Sequence, residues 1–361
     1  MNLMKKIVVL LLAVCLMLCA CKKDPEPTTE PTTEATTEVT TEATTEATEP
    51  AVVYRNPLTG EVLDAPFTGR PFAVSIGNTT SALPQHGISK ADILCEVEAE
   101  GGIPRFLAIF TEQEDVGAIG PVRSARTFFN SLAASYSAPL FHCGGSVRGI
   151  RGYHDLAGSK IADWAHVDQM SNSSYYYRDS SRSAQGYAYE HTLFTSGDNA
   201  AKALTNKGYL TGEEMDLGFR FDEAVDLEGT SAKEITVSFL GDKITEFTYD
   251  EATGVYSARQ YNRDLIDGTT GEQLTFKNVI VLYTGQQKQD DGYYYRSYYD
   301  LIGSGEGYFA VNGEIVKIQW SREAVETPFV FTLEDGTPLT MGVGTTYLAV
   351  ASTSSTPVAY E

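Results

Sequence analysis

The sequence predicts a disordered Thr/Glu-rich stalk, then an α+β or α/β N-terminal domain, then a β-rich C-terminal domain. Three observations predict this order. Residues 25–50 are low in complexity, with Thr-Thr-Glu recurring at a four-residue spacing as in Thr32-Thr33-Glu34 and Thr36-Thr37-Glu38. Short apolar runs flank a stretch of helical periodicity before about Gly218. Beyond Phe219 almost every apolar run is short and bounded by hairpin turn signals.

The chain begins with Lys5 and Lys6, followed by an apolar run from Ile7 to Leu18. That run is too short for an ordinary membrane span and has the form of a signal peptide, predicted over 1–20. Leu18-Cys19-Ala20-Cys21 follows, and charge returns at Lys22. A branched apolar residue, two small residues and a cysteine resemble the lipobox of bacterial prolipoproteins. The resemblance implies cleavage before Cys21 and a diacylglycerol on its thiol. The protein is then exported and held by lipid to the outer face of the cell membrane, its first partner.

From 21 to 52 the chain is read as anchor and stalk. Residues 25–50 hold no aromatic side chain and one branched aliphatic, Val39. Such a segment cannot bury enough apolar surface to offset its ordering entropy, and its carboxylates repel one another. A solvated spacer is expected.

The N-terminal domain is placed at 53–222. Phe72-Ala-Val-Ser-Ile76, Ile93-Leu-Cys-Glu-Val97, Phe106-Leu-Ala-Ile-Phe110 and Pro139-Leu-Phe-His-Cys143 read as strands buried on both faces. Between the last two, Ala125, Phe128, Phe129, Leu132, Ala133 and Tyr136 recur at helical spacing, predicting a helix over Ser124 to Tyr136. A second helix is expected after Thr195-Ser-Gly-Asp198, a capping-box pattern, ending near Gly208. The C-terminal domain is placed at 229–361, with the boundary near 220 to 232. Its strands include Ile235–Phe239, Val279–Tyr283, Ile315–Trp320 and Tyr347–Val350, and Gly241-Asp242, Asn312-Gly313 and Asp335-Gly336 mark turns.

The net charge of −21 argues against nucleic acid as a partner. Cys95 and Cys143 lie in apolar, strand-like runs and are read as free thiols, although export would permit a bridge. There is no Cys-x-x-Cys and no histidine pair at ligand spacing, so neither a metal nor another cofactor is expected.

Several phrases of the body form an ordered set. They are Asn56-Pro-Leu-Thr-Gly60, Gln85-His-Gly-Ile-Ser-Lys-Ala-Asp92, Glu100-Gly-Gly-Ile-Pro-Arg-Phe-Leu-Ala108, Ile119-Gly-Pro-Val-Arg-Ser-Ala-Arg126 and His142-Cys-Gly-Gly-Ser146. With Tyr177-Arg178-Asp179, Arg182, His191 and, later, Lys277-Asn-Val-Ile-Val281, Gly303-Ser-Gly305 and Trp320, they resemble the YerB-like lipoprotein family. The resemblance covers nearly all of 54–350 and implies two companion domains without an established activity. Gly77 departs from it, standing where an Asp commonly precedes the Asn. So do Gln185-Gly186-Tyr187, which look like an insertion before His191.

The densest polar constellation is Glu96, Glu98, Glu100, Arg105, Arg123, Arg126 and His142, with Arg178, Asp179, Arg182 and His191 beside it as further binding candidates. Arginine forks match carboxylates with two parallel hydrogen bonds. The cluster is therefore a cleft for a carboxylate-bearing ligand such as a wall peptide, or a set of internal ion pairs that imitates one. The three glutamates alternate along a strand, which places them on a shared face. Gly144-Gly145-Ser146 after a strand offers a weak anion nest. Tyr175–Tyr177 and Tyr293–Tyr295 offer flat surfaces for sugars or proteins, or simply fill a core. The leading expectation is a non-catalytic envelope protein that binds a wall-derived or protein partner. The rival is an envelope hydrolase working through Arg123, Arg126 and His142, with Ser146 or Cys143 as imaginable nucleophile and no assigned catalytic residue. A pocket gathering Arg105, Arg123, Arg126, His142 and His191 separates ligand chemistry from internal pairing.

Overall fold

The computed structural model describes residues 53–145, 166–210, 212–239, 243–290, 295–352 and 357–361, the side chains of 289, 290 and 295–298 excepted. The signal, lipid and stalk expectations at 1–52, with Cys21, lie outside the described residues, as do Ser146 and Tyr293 and Tyr294.

The N-terminal half contributes β1 (Phe72–Gly77), β2 (Ile93–Glu98), β3 (Pro104–Phe110), α1 (Thr127–Ser135), β4 (Leu140–His142), β5 (His166–Asp168), α2 (Ser180–Ala184) and α3 (Gly197–Asn206). The C-terminal half adds β6 (Thr230–Ser231), β7 (Glu234–Ser238), β8 (Ile244–Asp250), β9 (Val255–Gln260), β10 (Asn278–Thr284), β11 (Gly303–Val311), β12 (Glu314–Arg322), β13 (Val330–Leu333), β14 (Thr346–Ser352) and β15 (Val358–Tyr360). The described chain is strand-rich throughout, and the N-terminal half carries its helices.

One mixed sheet crosses the boundary expected near 220 to 232. Its order is β6-β12-β11-β10-β14-β2-β3-β1-β4-β5, with β13 also on β12. The two halves meet where β14 runs parallel to β2, Leu348 opposite Cys95 and Val350 opposite Val97. Strands at such a centre must be apolar on both faces. β1, β2 and β14 are indeed buried at every position. Alternate side chains therefore feed two cores. Phe72, Val74, Leu94, Phe106 and Tyr347 point into one, which β7, β8 and β9 cover with Ile235, Phe247 and Tyr256. Ala73, Ile93, Cys95, Leu107 and Leu348 point into the other, covered by Phe128, Phe129 and Leu132 of α1. The second sheet is built on β7, β8, β9 and β15 with two short strands.

Helical periodicity suggests a start at Ser124, but α1 begins at Thr127. The preceding residues are committed to the sheet instead. Val122 bridges Ile76, and the Arg123 N–H donates to the Ser75 carbonyl at 2.8 Å. A backbone pairing already made there outweighs the local helical preference. α3 begins at Gly197 and is capped by Ser196 rather than by Thr195 of the expected box. The Ser196 hydroxyl accepts from the Asn199 N–H while that of Thr195 donates to the Tyr175 carbonyl, and Gly208 follows the helix at φ 67°.

Candidate functional site

The end of β1 is flanked on both sides. Arg105 of β3 stands directly opposite Gly77, and the 122–123 segment lies along its other edge. Two arginines thus straddle a residue without a side chain. A Cβ at 77 would lie 3.1 Å from Arg123 Cγ, so glycine lets the arginine stem lie close. The departure from the family pattern noted at Gly77 falls at this close approach.

A small cleft of about 90 Å³ opens there, lined by Asn78, Thr79, Glu100, Arg105, Arg123 and His191 among others. Arg123 donates to the Glu190 carbonyl at 3.2 Å. Arg105 donates to the Ser124 carbonyl at 3.0 Å, and its second terminal nitrogen lies 3.6 Å from Glu100 Oε2. Burial would raise the Glu100 carboxyl, but the hydrogen bonds and charge of Arg126 and the charge of Arg105 hold it at about 2. Glu100 is therefore a fixed anion, and Arg126 grips both its oxygens. Arg105 and Arg126 bear on Glu100, while Arg123 feels the Glu190 carboxylate, so three guanidinium groups here meet two carboxylates.

Two polar atoms of the cleft residues, Thr79 Oγ1 and His191 Nδ1, are buried and find no hydrogen-bond partner among the described residues. A buried group left unsatisfied costs about 1–3 kcal/mol. Such a cost is tolerated most readily where function requires it. Burial, then the charge of Arg123, lowers the His191 pKa, which keeps the imidazole neutral.

The other candidate residues are dispersed. Glu96 is fully buried and accepts from Asn78 (2.8 Å), Thr245 (2.7 Å), Gln260 (2.9 Å) and Tyr347 (2.7 Å). Lys243 stands 3.2 Å away. Glu98 is buried and meets Gln286. Glu100 lies past the strand end, in a turn. The shared face expected from alternation therefore does not gather the three in one cleft, because each is claimed by a different neighbour. Arg126 is 5 % exposed and spent on Glu100 and its own neighbouring carbonyl. His142 is 1 % exposed, with Nδ1 at 2.7 Å from the Gly144 carbonyl and Nε2 at 3.2 Å from His166 Nδ1. Burial lowers its pKa.

Asp179, expected in a binding site or salt bridge, caps α2 by accepting from the N–H groups of Ser181 and Arg182. Arg182 is buried and holds the carbonyls of Ala82, Pro84 and His191. Arg178 stacks on the Tyr189 ring, its Cζ 3.7 Å from the centroid. The proposed nest at Gly144 has its N–H turned to Asp168 Oδ1 at 2.8 Å, so that donor already has an anion. Cys95 and Cys143 are free thiols; Cys95 is buried, while Cys143 is partly exposed and near Gln169. Burial, then the charge of Asp168, pushes the Cys143 thiol up.

Sequence reasoning missed Thr79, Lys243 and Tyr189. A threonine after Gly77-Asn78 carries no local signal, and neither does Lys243 after a turn, since its partner Glu96 comes from a distant strand. No group of three or more His, Cys, Asp or Glu residues that could hold a metal is found among the described residues. No helix among them is long and apolar enough to cross a membrane.

Comparison with known proteins gives consistent matches. The model described as "Protein of unknown function (DUF3048) N-terminal domain" matches residues 58–210, and its C-terminal counterpart matches 235–348. A Bacillus subtilis (strain 168) protein named "Putative lipoprotein YerB" is 30% identical over 281 residues, covering 74% of this chain and 80% of the relative. The crystal structure of the YerB protein from Bacillus subtilis superposes with a TM-score of 0.71 at 27% identity, covering 84% of this chain and 99% of that one.

Proposed function

Because the chain belongs to the two-domain DUF3048 family, with the YerB lipoprotein as a relative, we propose that it is an exported lipoprotein. It is anchored through Cys21 to the outer face of the cell membrane. The 21–52 segment is its stalk, and the units 53–222 and 229–361 form its working body. It acts without catalysis, by binding a carboxylate-bearing wall fragment or protein partner in the Arg105/Arg123 cleft.

The observation that carries this reading is the cleft itself. Arg105 of β3 and Arg123 of the segment along the other edge of β1 converge at Gly77, and two unsatisfied polar atoms lie in the cleft walls. Its volume of about 90 Å³ suits one acidic group rather than a whole ligand. The hydrolase reading has less behind it. Arg126 is committed to Glu100, His142 is sealed against Gly144 and His166, and Cys143 is held as a thiol rather than a nucleophilic thiolate.

The test is incubation of the unlipidated protein with purified cell wall, scoring both sedimented protein and released fragments. Sedimentation without release is expected, and an Arg105→Gln, Arg123→Gln double variant should stay in the supernatant. Release of wall fragments by the wild type would overturn the non-catalytic reading. Sedimentation unchanged in the double variant would remove the cleft from it. Anchorage is checked separately: Cys21→Ser should shift the protein from the membrane fraction to the medium.

A further inference from the structure

The cleft is too small for more than the acidic group of a ligand, so the remainder must lie across its rim. The rim is shaped by the short turn Tyr189–His191. His191 lines the cleft, and the Glu190 carbonyl takes an N–H of Arg123. One residue further out, Tyr189 is 72% exposed.

That ring is exposed but held. The Arg178 guanidinium lies against one face, 3.7 Å from the centroid, and donates to the Tyr189 carbonyl and to Thr192 Oγ1. Arg178 is itself pinned by strand pairing with Leu193. An ordinary surface tyrosine would lose rotamer freedom on binding, whereas this one has given it up already. With one face backed by a cation, the opposite face and the phenolic edge remain for a ligand. A flat apolar surface with a polar rim suits the C–H face of a pyranose ring and its surrounding hydroxyls.

We propose that Tyr189, backed by Arg178, is a saccharide-stacking platform on the rim of the cleft, so that the ligand is a sugar carrying a carboxylate. This rests on the cleft accepting an acidic group, as proposed above. The acid enters between Arg105 and Arg123, and the sugar ring lies over Tyr189. No bond is made or broken.

The experiment is calorimetric titration of the unlipidated protein with three probes: N-acetylmuramoyl dipeptide, the same dipeptide with an N-lactoyl cap in place of the sugar, and N-acetylglucosamine. The sugar-bearing acid should bind about five- to tenfold tighter than the dipeptide, in line with one aromatic contact. Tyr189→Ala should erase that increment, leave the dipeptide unchanged and be rescued by Tyr189→Phe. Arg123→Gln should weaken both acids together. Equal affinity for the two acids, or equal weakening of both by Tyr189→Ala, overturns the platform while leaving the acid site standing. If neither acid binds the wild type, the acid site fails and the platform with it. N-acetylglucosamine binding as tightly as the sugar-bearing acid would likewise overturn the pairing of sugar and acid.

Discussion

Glu96 and Glu100 stand four residues apart near the end of β2, and each meets a cation. Glu96 is sealed between the halves, with four hydrogen-bond donors and Lys243 around its two oxygens. Glu100 sits at the mouth of a cleft, gripped by Arg126 with Arg105 beside it. The surroundings decide what each pair can do. In the sealed site all polar capacity of the carboxylate is spent inside the protein, and burial pulls Lys243 down to about 8. At the cleft the carboxylate holds the buried Arg126 and bears on Arg105, which is only slightly exposed. Like chemistry thus ties β2 to Lys243 and Thr245 of the C-terminal half in one place and lines a small cleft in the other.

The largest expected effect breaks the sealed member. Glu96→Ala leaves Lys243 buried without its counter-ion and should cost about 3–5 kcal/mol in urea unfolding. A loss below about 1 kcal/mol would mean that water reaches the site. Combining Glu96→Gln with Lys243→Met should recover much of the loss, because both charges are then gone.

Asp92 sharpens the comparison, as a buried carboxylate with no cation in contact among the described residues. Burial lifts it to about 7 against the two hydrogen bonds from Thr111. The folded state therefore holds its proton more tightly than the unfolded chain. The resulting stability is full below pH 4 and falls, by at most about 4 kcal/mol, as pH rises to 7. Asp92→Asn should flatten that slope in denaturation curves collected across pH, and an unchanged slope would assign it to other groups.

Glu100 has the opposite sign. Its carboxyl is held at about 2, below the ordinary 4.5, so its stabilisation is present above pH 4.5 and lost as pH falls toward 2. At most about 3 kcal/mol is involved. Glu100→Gln should remove this acid limb from the same curves. The smallest stability effect belongs to Arg123→Gln, about 1 kcal/mol or less for one surface hydrogen bond. Its consequence should appear in wall sedimentation instead, and a loss of several kcal/mol would recast Arg123 as structural.

Much of the fold was legible in sequence because its signals are local. The runs around Phe72, Ile93, Phe106 and Leu140 are strands, and Phe128, Phe129 and Leu132 lie on one buried helix face. The candidate site was half legible. Arg105, Arg123, Glu100 and His191 do meet. His142 and Arg182 were drawn in by sequence proximity and residue type, yet their polar atoms are satisfied elsewhere by carbonyls and a second imidazole. Asp179 illustrates the same limit, since a helix cap and a binding carboxylate look alike until the helix is seen.

The sequence by itself determined the β-rich C-terminal part, the main strands and helix faces of the N-terminal part, the acidic balance and the family resemblance. All of these rest on residue type and short-range periodicity. Tertiary structure alone decided that β14 joins β2 in one sheet across both halves, and that Glu96 is closed while Glu100 is open. It also set Arg105 and Arg123 on opposite sides of Gly77. The physical reason is that strand partners are chosen by pairing across long sequence separations, and a charge acquires its role from the dielectric and donors those partners bring.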